Sequence, residues 1–152
     1  YEVYDDISQL TAADAALLEQ ARAVTAKAYA PYSKFNVGAA ALLANGEILL
    51  GTNQENASYP VGICAERVLL GTAATLHPDM AITSMAISFN TAKEKSNHPI
   101  SPCGMCRQSL LEYETRFKHP IRLIMGGMEG PVHVVEAARQ LLPFAFTSEE
   151  LM

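Results

Sequence analysis

No apolar run in the sequence approaches the ~18 residues that a membrane-spanning helix needs. The segment from Tyr1 to Leu10 is acidic, with no basic stretch leading into a signal sequence. These two absences lead us to expect a soluble, cytoplasmic protein with no membrane partner, and the missing initiator Met reads as a trimmed chain. Positive charge is also short: eleven Lys and Arg face sixteen Asp and Glu, a formal net charge of −5. A protein that grips a phosphate backbone carries the opposite sign, and no aromatics interleave with Lys and Arg, so nucleic acid is disfavoured as a partner. Repeats, low-complexity tracts and linkers are absent, and 152 residues suit one domain, 1–152. Cysteine is scarce at three, an odd number that argues against a disulfide framework and for reduced thiols. What is abundant is apolar side chain, 49% against 18% charged, enough for a proper core.

Periodicity divides the chain as follows. Residues 11–30 read as an amphipathic helix with Thr11 as N-cap and Leu17, Ala21, Val24 and Ala28 on one face, stopped by Pro31. A strand at 35–43, a turn at Asn45-Gly46 and a strand at 48–52 form a hairpin, because both turn residues tolerate positive φ. After a polar loop at 53–63, residues 64–76 read as a helix that is apolar nearly all round and therefore buried between layers. A strand at 82–89, a loop at 91–101 and a helix opening at Pro102 follow, with Cys106, Leu110, Tyr113 and Phe117 on one stripe. Strands at 121–125 and 132–135 flank a Gly126-Gly127 break, before a short helix at 136–142 and a tail through Phe146. A hairpin followed by β-α-β crossovers predicts an α/β fold, a mixed sheet of about five strands in a three-layer α/β/α sandwich.

All three cysteines lie in two motifs, CAER at 64–67 and PCGMC at 102–106, and each opens a helix. Cys103 and Cys106 are three apart, so they share a helical face. The helix N-terminus favours the thiolate that metals bind. A redox dithiol or half of a structural zinc site would also explain this pair. Cys64 supplies a third sulfur, and three thiolates without a fourth suggest Zn2+ with one position open for solvent, as a catalytic zinc has. Glu66 is either an ordinary N-terminal carboxylate or a proton carrier beside that position. It can share a cavity with Cys64 only if Cys64 sits at the irregular edge of the helix, since two helical residues point ~200° apart. A three-thiolate zinc carries a net negative charge, which Arg67 would offset by hydrogen-bonding the sulfurs, unless it pairs with Glu66 or a carbonyl.

PYSKFNVGAA at 31–40, NQENASYP at 53–60, CAER at 64–67, SPCGMCRQ at 101–108 and LLPFAF at 141–146 together resemble the small homotetrameric cytidine deaminases. The resemblance implies a cytidine deaminase-like fold in which Cys64, Cys103 and Cys106 hold Zn2+ and Glu66 shuttles protons. It further implies that Phe35 packs on the pyrimidine and that Asn53 and Glu55 bind the ribose. Tyr59 and Phe146 are contributed by, or packed beside, a neighbouring subunit, and Arg67 contacts the sulfurs. Backbone groups near Cys64 and Cys103, including Ala65, hold the base edge. The implied partners are a small nucleoside and further copies of the chain, in a homotetramer with shared active sites, serving pyrimidine salvage. His77, His98, His119 and His133 fall outside every matched block and read as loop or surface residues.

Two positions depart from the family pattern: Met105 stands between two cysteines and Phe144 near the tail aromatic, either of which would narrow the pocket or reshape a subunit contact. They motivate a second reading, deamination of another aminopyrimidine nucleoside such as an antibiotic. A third reading, a non-catalytic zinc-stabilised binding module, needs a fourth ligand from one of the histidines.

Overall fold

The computed structural model describes all residues from Tyr1 to Met152. Helix α1, Ala12–Val24, starts where Thr11 Oγ1 accepts a hydrogen bond from the Asp14 N–H. It stops short of the expected Ala30. Thr25 Oγ1 donates to the Arg22 carbonyl, a 3-10 turn covers Thr25–Lys27, and the chain then extends so that Tyr29 N–H reaches Asn53 O and Tyr29 O accepts from Glu55 N–H. A long-range bridge therefore overrides the local helical period.

Strands β2, Phe35–Leu43, and β3, Ile48–Thr52, pair as the expected hairpin, with Gly46 at φ +89° in the turn. Helix α2, Ala65–Leu76, leads to β4, Ile82–Thr91, and α3, Gly104–Phe117, to β5, Arg122–Gly126, and then β6, Val132–Val135. The sheet has six strands, not about five. Counting the N-terminal strand Glu2–Tyr4 as β1, the order is β1-β6-β5-β4-β2-β3. The strand Glu2–Tyr4 was missed because it is a three-residue acidic edge strand whose only partner, β6, lies at the other end of the chain. The expected helix at 136–142 is a single 3-10 turn, Ala138–Leu141.

The sheet is mixed, with β4 and β5 parallel and the other pairs antiparallel. Because β2 runs opposite to both β3 and β4, β3 points the same way as β4. Both α2 and α3 are thus crossovers between like-directed strands and begin at the same edge of the sheet. Alternation along the strands sorts the core into two layers. Ala39, Ala41, Leu43, Met85, Ile87, Leu123 and Met125 face α2 and α3, whereas Ala40, Ala86, Ile124, Val132 and Val134 face α1. Gly51 lets α2 lie against the hairpin: a Cβ there would sit 2.5 Å from Ala65 O.

Helix α2 is not buried between layers as its composition suggested. Ala65, Leu69, Leu70 and Ala73 face the core, but Gly71 and Leu76 are exposed and Val68 is half-buried. No helix is long and apolar enough to cross a membrane.

The C-terminal turn is tied down by a fully buried carboxylate, Glu114 of α3. One of its oxygens accepts from Ile121 N–H at 2.8 Å and Ala138 N–H at 2.7 Å; the other accepts from Arg139 N–H and Nε. Glu114→Ala strands two buried amides, so it is expected to lower the unfolding free energy by about 3 kcal/mol in urea titrations with an unchanged m-value. Arg139→Ala, whose side chain is half exposed, should cost about 1 kcal/mol or less.

Candidate active site

Cys64 and Cys103 are the N-cap residues of α2 and α3, both with extended backbones (ψ 154° and 170°), and Cys106 lies one turn into α3. Because both helices start at the same sheet edge, their caps converge. Cys64 Sγ is 3.7 Å from Cys103 Sγ, which is 3.5 Å from Cys106 Sγ, and the three sulfurs lie within 4.8 Å of one another. Four ligands around zinc with bonds of about 2.3 Å place sulfurs ~3.8 Å apart, so the geometry and the donor set both fit that ion. No histidine nitrogen joins the group, which removes the fourth ligand that a closed structural site would need.

Cys64 is half-buried, Cys103 exposed and Cys106 fully buried. A hydrogen bond from Cys106 lowers the Cys64 thiol to about 6, helped by the bond with Cys103 and the charge of Arg67. Cys106 is pushed the other way by its bond to Cys64 and by burial. Binding zinc requires the cysteines as thiolates, so the thiol protons leave as the ion enters.

Glu66 follows two residues after Cys64 yet faces the same space, since the capping residue is off the helical phase. It is 4% exposed, and burial raises its carboxyl above the usual range, with the Cys64 charge adding to the effect. Together with Phe35, Val37, Asn53, Cys64, Ala65, Ile100, Ser101 and Cys103 it lines a cavity of about 200 Å³. Phe35 stacks on the fully buried Phe89 with centroids 4.8 Å apart. Asn53 lies in the cavity wall and bridges the start of β2, its Oδ1 accepting from Val37 N–H at 2.8 Å and its Nδ2 donating to Phe35 O at 2.9 Å.

The other expected site residues lie elsewhere in the protomer. Glu55 accepts hydrogen bonds from the Tyr32 and Ser33 amides and the Ser33 hydroxyl, and with Tyr59 it borders a separate cleft of about 310 Å³. Tyr59 is 78% and Phe146 59% exposed, and the Phe146 carbonyl accepts from Gln108 Nε2. Arg67 lines a groove on the outer side of α2 and acts on Cys64 through its charge. Met105 and Phe144 are exposed and do not line the cavity. Sequence reasoning missed Val37, Ile100, Ser101 and the supporting Phe89. Val37 and Ser101 fall inside the PYSKFNVGAA and SPCGMCRQ blocks; Phe89 becomes visible through strand register and Ile100 only through the loop that follows β4.

Two measurements check this electrostatic description. In chelated protein, iodoacetamide should modify Cys64 with a half-point near pH 6, taken from its lowered thiol, while Cys106 stays unreactive. A carboxyl whose folded pKa is raised contributes stability that is lost as pH rises through that pKa. Glu66→Gln should therefore raise the unfolding temperature of metal-free protein at pH 8, and the gain should vanish near pH 4.

Comparison with known proteins agrees with this geometry. Residues 11–118 match the family model of the cytidine and deoxycytidylate deaminase zinc-binding region. The cytidine deaminase of Halalkalibacterium halodurans is 34% identical over 135 residues, covering 89% of this chain and 95% of that protein. That of Sporosarcina psychrophila is 35% identical over 89% of this chain and 92% of its own. The crystal structure of cytidine deaminase from Burkholderia pseudomallei superposes with a TM-score of 0.75 at 38% identity, over 90% of this chain and 100% of that one. On the strength of the matched zinc-binding region and these relatives, the chain belongs to the cytidine and deoxycytidylate deaminase family.

Proposed function

We propose that the protein is a zinc-dependent enzyme that hydrolyses cytidine, and deoxycytidine with it, to the corresponding uridine and ammonia. The observation that carries this reading is the buried Glu66 carboxyl beside three converging sulfurs at one end of a cavity walled by an aromatic ring. Cys64, Cys103 and Cys106 hold the zinc, which supplies a Lewis acid that turns a solvent molecule into a nucleophile at neutral pH. Glu66 takes the proton released from that solvent molecule, delivers it to the pyrimidine ring nitrogen and then assists the departing amine. A carboxyl raised by burial suits this two-way traffic, because its affinity for protons lies closer to the working pH.

Phe35 stacks on the base, held flat by Phe89, and the Ala65 backbone at the α2 N-terminus meets the polar edge of the ring. Asn53 and Glu55 bind the ribose. Asn53 keeps one amide hydrogen and one lone pair beyond its two backbone bonds, and the Glu55 carboxylate, with about four acceptor sites, has capacity beyond its bonds to Tyr32 and Ser33. Arg67 offsets the charge of the three thiolates. Residues 1–152 act as a single domain.

The enzyme works as a homotetramer with shared sites, in the cytoplasm, on free nucleosides for pyrimidine salvage. Supporting the assembly, Tyr59 and Phe146 lie on the surface, and the outer side of α2 exposes Ile63, Gly71 and Leu76. The net charge of −5 fits a free nucleoside better than a nucleic acid.

Mixing the protein with cytidine should erase the ultraviolet band of cytidine. Glu66→Gln should keep one zinc per chain while kcat falls by about 10²- to 10⁴-fold. Full activity in Glu66→Gln would end the proposal. Free cytosine should turn over far more slowly than cytidine, since it lacks the ribose that Asn53 and Glu55 hold. Light scattering should give a mass four times that of the chain.

A further inference from the structure

We infer that the glycine turn between β5 and β6, Gly127–Gly130, is a positioning element for the nucleoside, fixing the Ile100–Ser101 wall of the cavity through the loop that precedes it. This rests on the deaminase reading, because it concerns the substrate that the cavity takes. None of the turn's residues lines the cavity.

The loop from Ala92 to Ser101 is polar and largely exposed, yet it delivers Ile100 and Ser101 to the cavity and Cys103 to the sulfur cluster. Apart from a bond from Lys93 N–H to Thr91 Oγ1, its anchor before His98 is Ser96. The buried Ser96 hydroxyl accepts from Thr91 N–H at 3.1 Å, and its carbonyl accepts from Met128 N–H at 2.7 Å and Glu129 N–H at 3.3 Å. The turn meets this loop backbone to backbone. A Cβ on Gly127 would lie 2.3 Å from Ser96 O and 2.8 Å from His98 O; one on Gly130 would lie 2.4 Å from Asn97 O, at a φ of +78°. The turn is itself held from the opposite side of the sheet, where the buried Arg22 of α1 donates Nε to Gly127 O at 2.9 Å.

A second brace acts on the same loop. The His98 ring packs on Phe89 with centroids 5.0 Å apart, and Phe89 stacks under Phe35 on the other wall. The two walls that would enclose the base are thus set by one loop, pinned at Ser96 by the turn and at His98 by the aromatic ladder. A methyl group at Gly127 must push the Ser96–His98 backbone by roughly 1 Å to reach ordinary contact, and close-packed interiors transmit such shifts instead of absorbing them. Ile100 lies two residues further on. Ile100 and Ser101 enclose the base in substrate and transition state alike, so loosening that wall weakens both by a similar factor.

The test uses zinc-loaded Gly127→Ala, Ser96→Ala and Gly46→Ala. Gly46 has a φ of +89° with nothing within 4 Å of its Cβ position, so its alanine carries backbone strain without touching the loop. Ser96→Ala removes the hydroxyl that ties the loop to Thr91 while the Ser96 carbonyl keeps its bonds to the turn, so it loosens the same wall from its β4 side without adding an atom and serves if the methyl at Gly127 blocks folding. Gly127→Ala and Ser96→Ala should keep one zinc per chain and kcat within about threefold, while KM for cytidine and the calorimetric Kd for uridine rise about tenfold. Gly46→Ala should lower thermal stability and leave KM and Kd within about twofold. Unchanged KM and Kd in Gly127→Ala and Ser96→Ala, or an equal rise in Gly46→Ala, overturns the inference alone. A parent protein that leaves cytidine intact overturns the deaminase reading and this inference with it.

Discussion

The site depends on one constraint: two helix N-termini must meet. Each helix start offers unpaired N–H groups and the positive end of a dipole, and here each is capped by a cysteine. Neither cysteine side chain accepts a capping hydrogen bond, so both sulfurs are left to face each other and Cys106. The convergence is a property of the sheet. β3, β4 and β5 run in one direction, so the chain leaves the sheet at the same edge each time it enters a crossover helix. Reversing any of these strands would send one cysteine to the far edge.

The second requirement is a dry place for a carboxyl. Glu66 is buried in the first turn of α2 among groups that do not neutralise it, and its raised proton affinity is a cost to the fold at neutral pH. Glu114, equally buried, shows the contrasting use of the same side chain: four donors converge on it, and it fastens the C-terminal turn to α3. One carboxyl is fastened by four donors and is structural; the other, its proton affinity raised by burial, faces the cavity, as a proton-transfer group must.

Support for the cavity comes from layers well away from the sulfurs. Phe89 stiffens Phe35, Asn53 ties the start of β2 to the loop after β3, and Arg22 of α1 holds the glycine turn that braces the opposite wall. The outer side of α2 is apolar in composition but exposed in the protomer, which explains why periodicity placed that helix between layers.

Much of this is legible in the sequence. The Asn45-Gly46 hairpin, the three core helices and the cysteine motifs at helix starts follow from short-range rules: turn residues that accept positive φ, apolar spacing, and capping positions. The sequence by itself determined the Cys103–Cys106 pair at the start of one helix and the acid two residues after Cys64, because spacings of two or three positions need no distant partner; bringing Cys64 to that pair depended on the sheet. Only the tertiary structure decided the rest. Glu2–Tyr4 becomes a strand because β6 offers it an edge, α1 ends early because Tyr29 must bridge to the 53–55 loop, and residues 138–141 dock on α3 because Glu114 accepts the amides of Ala138 and Arg139. The walls of the cavity, Val37, Ile100 and Ser101, likewise depend on strand register and on a loop pinned from the other side of the sheet. Such long-range contacts are set by how layers pack, which no local pattern encodes.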